Sequence, residues 1–341
     1  MRPGRISNPP NPWESASVEW LGEPPPARLE VYQDSTREIL AHNDSPDVGF
    51  SWSVNPYRGC QHACAYCYAR PTHEYLGFGA GTDFETRIAV KTAAPLLLRA
   101  AFDRPAWRGE TVVFSGVTDP YQPLEASYRL TRGCLEVCLE YRNPVAVVTK
   151  AALVERDLDL LAALAREARC RVDVSLPFLD PARARALEPW APSPARRLET
   201  IGRLARSGVP VGVLVAPVVP GLSDEEVPRV LQAAREAGAR SAGWILLRLP
   251  GSVKEVFEER LRAAMPDRAE RVLHRVRETR DGGLYDARFG ARQRGEGRIA
   301  EAVASLFDLT ARRLGFEGAS SPEGPSPFRR PPRAGDQLPL L

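Results

Sequence analysis

Short apolar, β-branched runs recur along the middle of the chain at 111–115, 145–149, 171–176, 209–216 and 243–249, and each reads as a buried strand. Between them the hydrophobic period changes from two to about 3.6 residues, the helical value. Leu130, Cys134, Val137, Cys138 and Tyr141 share one helical face, as do Val154, Leu158, Leu161 and Ala165. Two later helices carry start and stop signals. Ser193 caps a helix with Pro194 at its first position and Gly208 beyond its end. Ser223 with Glu226 reads as a capping box before a helix closed by Gly238. A first strand at about 51–55 brings the alternation to six strand–helix units, which implies parallel strands with right-handed crossovers. Periodicity leaves both an open doubly wound sheet and an incomplete barrel available.

Residues 1–28 and 317–336 lack this pattern and are rich in Pro, Ser and Asn, so they read as tails without a core of their own. The expected division is an N-terminal tail (1–28), a strand–helix core (29–265), a C-terminal helical extension packed on it (266–316) and a Pro-rich tail (317–341). With 341 residues and 43% hydrophobic content the chain is long and apolar enough for a large core, which excludes wholesale disorder. A net charge of +3 excludes a strongly polybasic protein but permits a nucleic-acid partner. No run approaches the ~18 apolar residues of a membrane span, and the N-terminus lacks the apolar centre of a signal peptide. The expectation is a cytoplasmic protein without a membrane partner, whose cysteines stay reduced.

The stretch NPYRGCQHACAYCYAR carries the chemistry. Cys60, Cys64 and Cys67 stand at C-x3-C-x2-C spacing on what reads as a loop, a set of thiolates suited to an iron–sulfur cluster. Three ligands leave one iron of a four-iron cluster open to another molecule. Zinc is the competitor, but structural zinc is closed by four ligands, and the fourth would have to be His62 or a distant residue. Cys134 and Cys138 lie one turn apart on an apolar helix face and Cys170 enters a strand, so these three read as core.

With Tyr66 before its last cysteine, the motif resembles the signature of radical S-adenosylmethionine (SAM) enzymes. GVTDPYQPLE, VVTK, LEPWAPSPARRL and VLVAPVVPGL, in that order, resemble the spore photoproduct lyase-like, DNA repair photolyase branch of that superfamily. The resemblance implies a partial (β/α)6 TIM-like barrel with flexible tails, a 4Fe-4S cluster on Cys60, Cys64 and Cys67, SAM on the open iron, and a flavodoxin- or ferredoxin-type electron donor. The implied activity is reductive cleavage of SAM to a 5′-deoxyadenosyl radical that abstracts hydrogen, with damaged DNA as the substrate class. Radical SAM chemistry on a peptide, tRNA or metabolite is the alternative, and a non-catalytic iron–sulfur or zinc sensor is an alternative of another class.

In parallel α/β folds the site lies at the carboxyl ends of the strands. Those ends offer Ser115, Gly116, Thr118 and Asp119, then Thr149 and Lys150, then Ser175, then Ala216 and Pro217, then Arg248. Lys150 suits the SAM carboxylate, because a buried ammonium needs an anion, and by resemblance Lys150 and Ser175 contact SAM. Thr118 and Asp119 stand where related enzymes place groups for its amino end, while Tyr66 and the Ala216 backbone are candidates for the adenine. The sequence departs from spore photoproduct lyases in two places. SGVTDP has no cysteine where those enzymes carry a hydrogen donor, and SLPFLD has Pro177 after the leucine. Reversal of thymine dimers is therefore not implied, and Tyr68 and Tyr121 stand as candidate radical relays or as packing aromatics. The terminal Gln337–Leu341, QLPLL, resembles the pentapeptide with which bacterial repair proteins dock on the DNA sliding clamp, with Pro322–Pro332 as a semi-rigid spacer.

Overall fold

A computed structural model of the chain describes Asn8, residues 28–317 and residues 324–332. Six strands, β1 (Trp52–Val54), β2 (Val112–Phe114), β3 (Val145–Thr149), β4 (Cys170–Ser175), β5 (Val211–Val218) and β6 (Ser241–Leu246), lie parallel and side by side in chain order. Leu40–His42 adds an antiparallel edge outside β1, and the sheet does not close from there to β6. This is a partial (β/α)6 barrel. The register sets Val112 against Val145 and Val145 against Cys170, so the carboxyl ends of the middle strands rise to a common level.

Helices Ala94–Asp103, Leu130–Glu140, Leu158–Glu167, Pro194–Arg206 and Val227–Ala237 cover the outer face, and their apolar stripes close the main core. Cys134 and Cys138 are fully buried there and Cys170 nearly so, as their spacing predicts. Ser193 accepts a hydrogen bond from the Arg196 N–H, and Gly208, at φ +77°, follows the end of that helix. Gly238, at φ +113°, stops Val227–Ala237. The capping box at Ser223 does not form. Ser223 Oγ instead accepts from the Val219 N–H (2.9 Å), while Glu226 is drawn to the Leu179 and Asp180 N–H groups and to Arg183.

Two features have no local sequence signal. A small sheet of Glu30–Gln33, Arg87–Val90 and Tyr57–Arg58 flanks the barrel and leads directly into the cysteine loop. A second apolar cluster lies under that loop, where Val253–Ala264 and Pro266–Glu278 pack against Tyr66, Phe178 and Leu187. Gly297–Arg313 lies elsewhere, against β6, with the Phe307 and Trp244 rings 6.0 Å apart. Among the described residues no helix is long and apolar enough to cross a membrane.

The spacer reading of the Pro-rich tail does not hold for residues 324–332, which are strapped across the barrel wall. Phe328 packs against the rings of Phe102 (5.9 Å) and Tyr141 (6.2 Å). Arg330 donates to the carbonyls of Phe102 (3.0 Å), Arg104 (2.6 Å) and Trp107 (3.1 Å), and Ser326 to Gly109 O (2.6 Å). An aromatic anchor and a guanidinium that caps carbonyls offset the ordering cost that proline-rich composition was expected to leave unmet. Gln337–Leu341 and the N-terminal tail, apart from Asn8 and Arg28, lie outside the described residues. Removing a half-buried aromatic costs less than the ~3–5 kcal/mol of a full core position, so Phe328→Ala should lower the unfolding free energy by about 1–3 kcal/mol in denaturant titration. An unchanged midpoint would mean that the strap is passive.

Candidate functional site

One cavity of about 740 Å³ opens at the carboxyl ends of the strands and gathers most of the residues that the sequence singles out. Cys60, Cys64, Tyr66 and Cys67 line it, with Thr118, Asp119, Lys150, Ser175 and Ala216. Tyr68 and Arg248 line it as well, the Arg248 guanidinium 5.4 Å from the Tyr68 ring centre. Tyr121 does not. It is buried, with its hydroxyl 3.1 Å from Asp157 Oδ2 on the helical side, and is a packing aromatic.

The cysteine loop is held from outside itself. Gly59, at φ +81°, turns the chain where a Cβ would come within 2.8 Å of Phe84 O, so glycine is required there. The Gly59 carbonyl accepts from Thr118 Oγ1 (2.6 Å) and Gln122 Nε2 (3.2 Å), and the Cys60 N–H donates to Phe84 O (2.9 Å). Gln61 and Gln122 exchange roles across the loop, Gln122 Oε1 accepting from the Gln61 N–H and Gln61 Oε1 from the Leu124 N–H. Behind the loop, fully buried Arg70 donates to the carbonyls of Cys64 (2.9 Å), Ala80 (2.8 Å) and Gly81 (2.9 Å) and pairs with Glu85 (2.6 Å). The three thiols are free. Burial pushes each of them up, Cys64 to about 12.

Asp119 is bound on both oxygens. Oδ1 accepts from the Tyr121 N–H (2.9 Å) and Thr149 Oγ1 (2.6 Å), and Oδ2 from the Lys150 N–H (2.8 Å), with His62 Nδ1 at 3.3 Å. Burial opposes its charge, but His62, the Lys150 amide and the Thr149 hydroxyl outweigh it and hold the carboxyl at about 2. Thr118, bound to Gly59 and accepting from Gln122 (2.9 Å), is likewise engaged with protein. These two residues fix the ends of β2 and β3 beneath the loop.

Lys150 Nζ donates to Ser175 Oγ (2.8 Å), which donates to Ala216 O (3.1 Å), so one row of hydrogen bonds crosses the ends of β3, β4 and β5. Nζ also lies 5.7 Å from the Tyr66 ring centre and 3.7 Å from Glu188 Oε1. Glu188, fully buried, accepts from the Tyr66 hydroxyl and from Arg197, whose guanidinium also donates to Ser175 O (3.1 Å). Burial opposes the Glu188 charge and Arg197 and Lys150 favour it, so its carboxyl is held below the usual range. Sequence reasoning missed Glu188 and Arg197 as site residues, although both stand in the LEPWAPSPARRL block; an Asp or Glu and an Arg nine apart have no periodicity that pairs them.

The cavity's outer wall is a loop, 43–50, tied to the short helix Ala291–Arg294. Arg292 donates to both Asp47 oxygens and to Ser45 Oγ (3.0 Å), and Gln293 to Asp47 O (2.6 Å). The Arg292 hydrogen bond, against some burial cost, holds the Asp47 carboxyl at about 2.

Comparison with known proteins gives a consistent picture. Residues 54–234 match the family described as the Radical SAM superfamily. An uncharacterised protein of Mycobacterium tuberculosis is 42% identical over 238 residues, 69% of either chain. A radical SAM Nalpha-GlyT isomerase of Pseudomonas phage M6 is 26% identical over 193 residues, 56% of this chain and 38% of that one. Among solved structures, a spore photoproduct lyase mutant with bound AdoMet and dinucleoside spore photoproduct shares the fold, with TM-score 0.54 and 18% identity over 84% of this chain and 80% of that one.

Glu188→Gln leaves the Arg197 guanidinium buried without its anion, which should cost about 3–5 kcal/mol of stability. Adding Arg197→Met should recover part of it, and a loss under about 1 kcal/mol for the single variant would contradict the reading. For Asp47 the folded value, about 2, lies below the ordinary 3.8, so its stabilisation is present above pH 3.8 and is lost as pH falls through about 2. Asp47→Asn should therefore cost about 1–2 kcal/mol at neutral pH and nothing under strong acid, read from chemical denaturation across pH.

Proposed function

Because the chain belongs to the radical SAM superfamily, we propose that it is an enzyme that carries a 4Fe-4S cluster on Cys60, Cys64 and Cys67 and binds SAM across Lys150, Ser175, Tyr66 and the Ala216 backbone. The observation that carries this reading is the single cavity on which the three thiols and the Lys150–Ser175–Ala216 row converge. A structural metal loop has no use for that row.

When bound, the cluster and SAM together supply one-electron chemistry that generates a radical able to take hydrogen from an unactivated C–H bond. The protein's part is positional. Arg70, from behind, and Gly59 keep the cysteine backbone in one conformation. Lys150 presents an ammonium to the SAM carboxylate, with Ser175 holding its direction and Glu188 and Arg197 holding Ser175 and Tyr66. The apolar flank of the cavity, Val113, Val148, Leu214 and Ile245, excludes water from the reacting carbon.

For the substrate we propose a nucleic-acid base, in repair or modification. The support is the lyase-like fold and the sequence similarity to the phage isomerase. Reversal of thymine dimers through a protein thiol is not part of the proposal, since Cys134, Cys138 and Cys170 lie in the core and none lines the cavity. Tyr68, on the cavity and half-exposed, is the candidate for hydrogen return.

Anaerobic protein incubated with SAM and reductant, with and without irradiated or base-modified DNA, should release methionine and 5′-deoxyadenosine. Replacing any of the three loop cysteines by Ala should abolish the brown chromophore and most of the iron. Lys150→Ala should keep the cluster and weaken SAM binding by about 1.5–3 kcal/mol, the worth of a hydrogen bond to a charged group. Stoichiometric zinc without sulfide in the parent protein would overturn the reading.

A further inference from the structure

Lys91 brings into the cavity a charge that its surroundings do not neutralise. It follows the strand Arg87–Val90, and its N–H is fixed on Pro56 O (2.9 Å). The residue is only 8% exposed and lines the cavity, so most of its side chain is buried and what remains accessible belongs to the cavity. Among the described residues its ammonium forms no ion pair.

The charged groups that face it are Arg58 and Asp34. Asp34 is already bound to Arg58 Nε (2.9 Å) and to the Thr36 N–H (2.8 Å), so two cations share one occupied carboxylate. Burial, and then Arg58, lowers the Lys91 ammonium to about 8. Lys91 enters from the small flanking sheet, whereas Lys150, Ser175 and Ala216 stand at the ends of β3, β4 and β5, and Asp119, Lys150 and Glu188 are not among the charged groups that bear on it. Over the whole lining, Arg58, Lys91, Lys150, Arg248 and Arg292 stand against Asp47 and Asp119, five cations to two carboxylates. A buried ammonium without an anion costs several kcal/mol, and a protein retains one where a ligand supplies the anion.

We propose that Lys91, with Arg58, forms an oxyanion subsite that anchors a phosphate or carboxylate of the molecule on which the enzyme acts. Calling that molecule the substrate rests on the proposed function; the subsite itself rests on the cavity. Lys91 fixes one end of the ligand while the opposite end of the cavity holds the reacting group, so Lys91 is a positioning residue. Its ammonium serves as a point charge, whereas Arg58, steered by Asp34, offers a planar fork.

The test is titration calorimetry of the anaerobically purified full chain in anion-free buffer at neutral pH, with inorganic phosphate in one arm and acetate in the other. The parent protein should bind one of the two saturably, and which one assigns the anion to a phosphoryl or a carboxylate source. Lys91→Met should weaken that binding by about tenfold or more, the scale of a charge-assisted hydrogen bond, and Lys91→Arg should retain it within roughly threefold. Without anion, Lys91→Met should melt above the parent protein, and the gap should narrow as the anion is added. If that variant fails to fold, Arg58→Gln, at a half-buried position, must weaken binding in the same direction. No saturable binding in either arm, or equal binding by Lys91→Met, would overturn the subsite. A parent protein that binds the anion but never cleaves SAM would instead defeat the proposed function and leave the subsite standing.

Discussion

The cysteine loop has almost no regular hydrogen-bonded structure of its own, so its peptide groups must be satisfied by what surrounds it. The central provider is Arg70, a guanidinium with no solvent exposure that spans the Cys64 carbonyl on one side and Ala80, Gly81 and Glu85 on the other. A buried charge of this kind is stable only when every donor finds an acceptor. That condition couples the loop to the segment 80–85 and, through Glu85, to Arg260 on Val253–Ala264. The course of the backbone at Cys64 thus follows from a charge that cannot be moved without leaving it unpaired.

A second buried assembly, Glu188 with Arg197, Lys150 and Tyr66, repeats this logic on the other side of the cavity. Here the compensation is incomplete by design of position: Lys150, 15% exposed at its side chain, sits 3.7 Å from a carboxylate that Arg197 already engages. Its ammonium is therefore restrained but not saturated, which leaves it able to take a further anion. The outer wall shows the opposite arrangement, with Asp47 and Arg292 closed on each other. Saturated pairs shape the cavity, and unsaturated cations leave its lining net positive.

Most of the barrel was legible in the sequence because its signals are local. The runs at 145–149 and 171–176 are β-branched and flanked by turns, and Ser193, Pro194, Gly208 and Gly238 act within a single helical turn. That the cysteines and Lys150 meet at one cavity was legible because motif spacing and strand ends are also local. What failed was long-range. Glu226 has the spacing of a capping partner, yet Arg183 and the 179–180 amides, more than forty residues earlier, outcompete Ser223 for it. Arg70, Glu188 and Lys91 look like ordinary surface charges until tertiary structure buries them. The small sheet escaped notice since Tyr57–Arg58 is a strand of two residues.

The strap at 324–332 has a consequence for how the chain comes off the ribosome. Its landing surface, Phe102, Trp107 and Tyr141, belongs to the first half of the barrel and is translated long before Phe328 and Arg330. Since domains fold from the N-terminus during synthesis, that aromatic wall and the carbonyls of Phe102, Arg104 and Trp107 stay uncovered until the strap has been made. A surface made early is sealed by a segment more than two hundred residues further along the chain, and a nascent chain halted before the strap would leave that aromatic face bare.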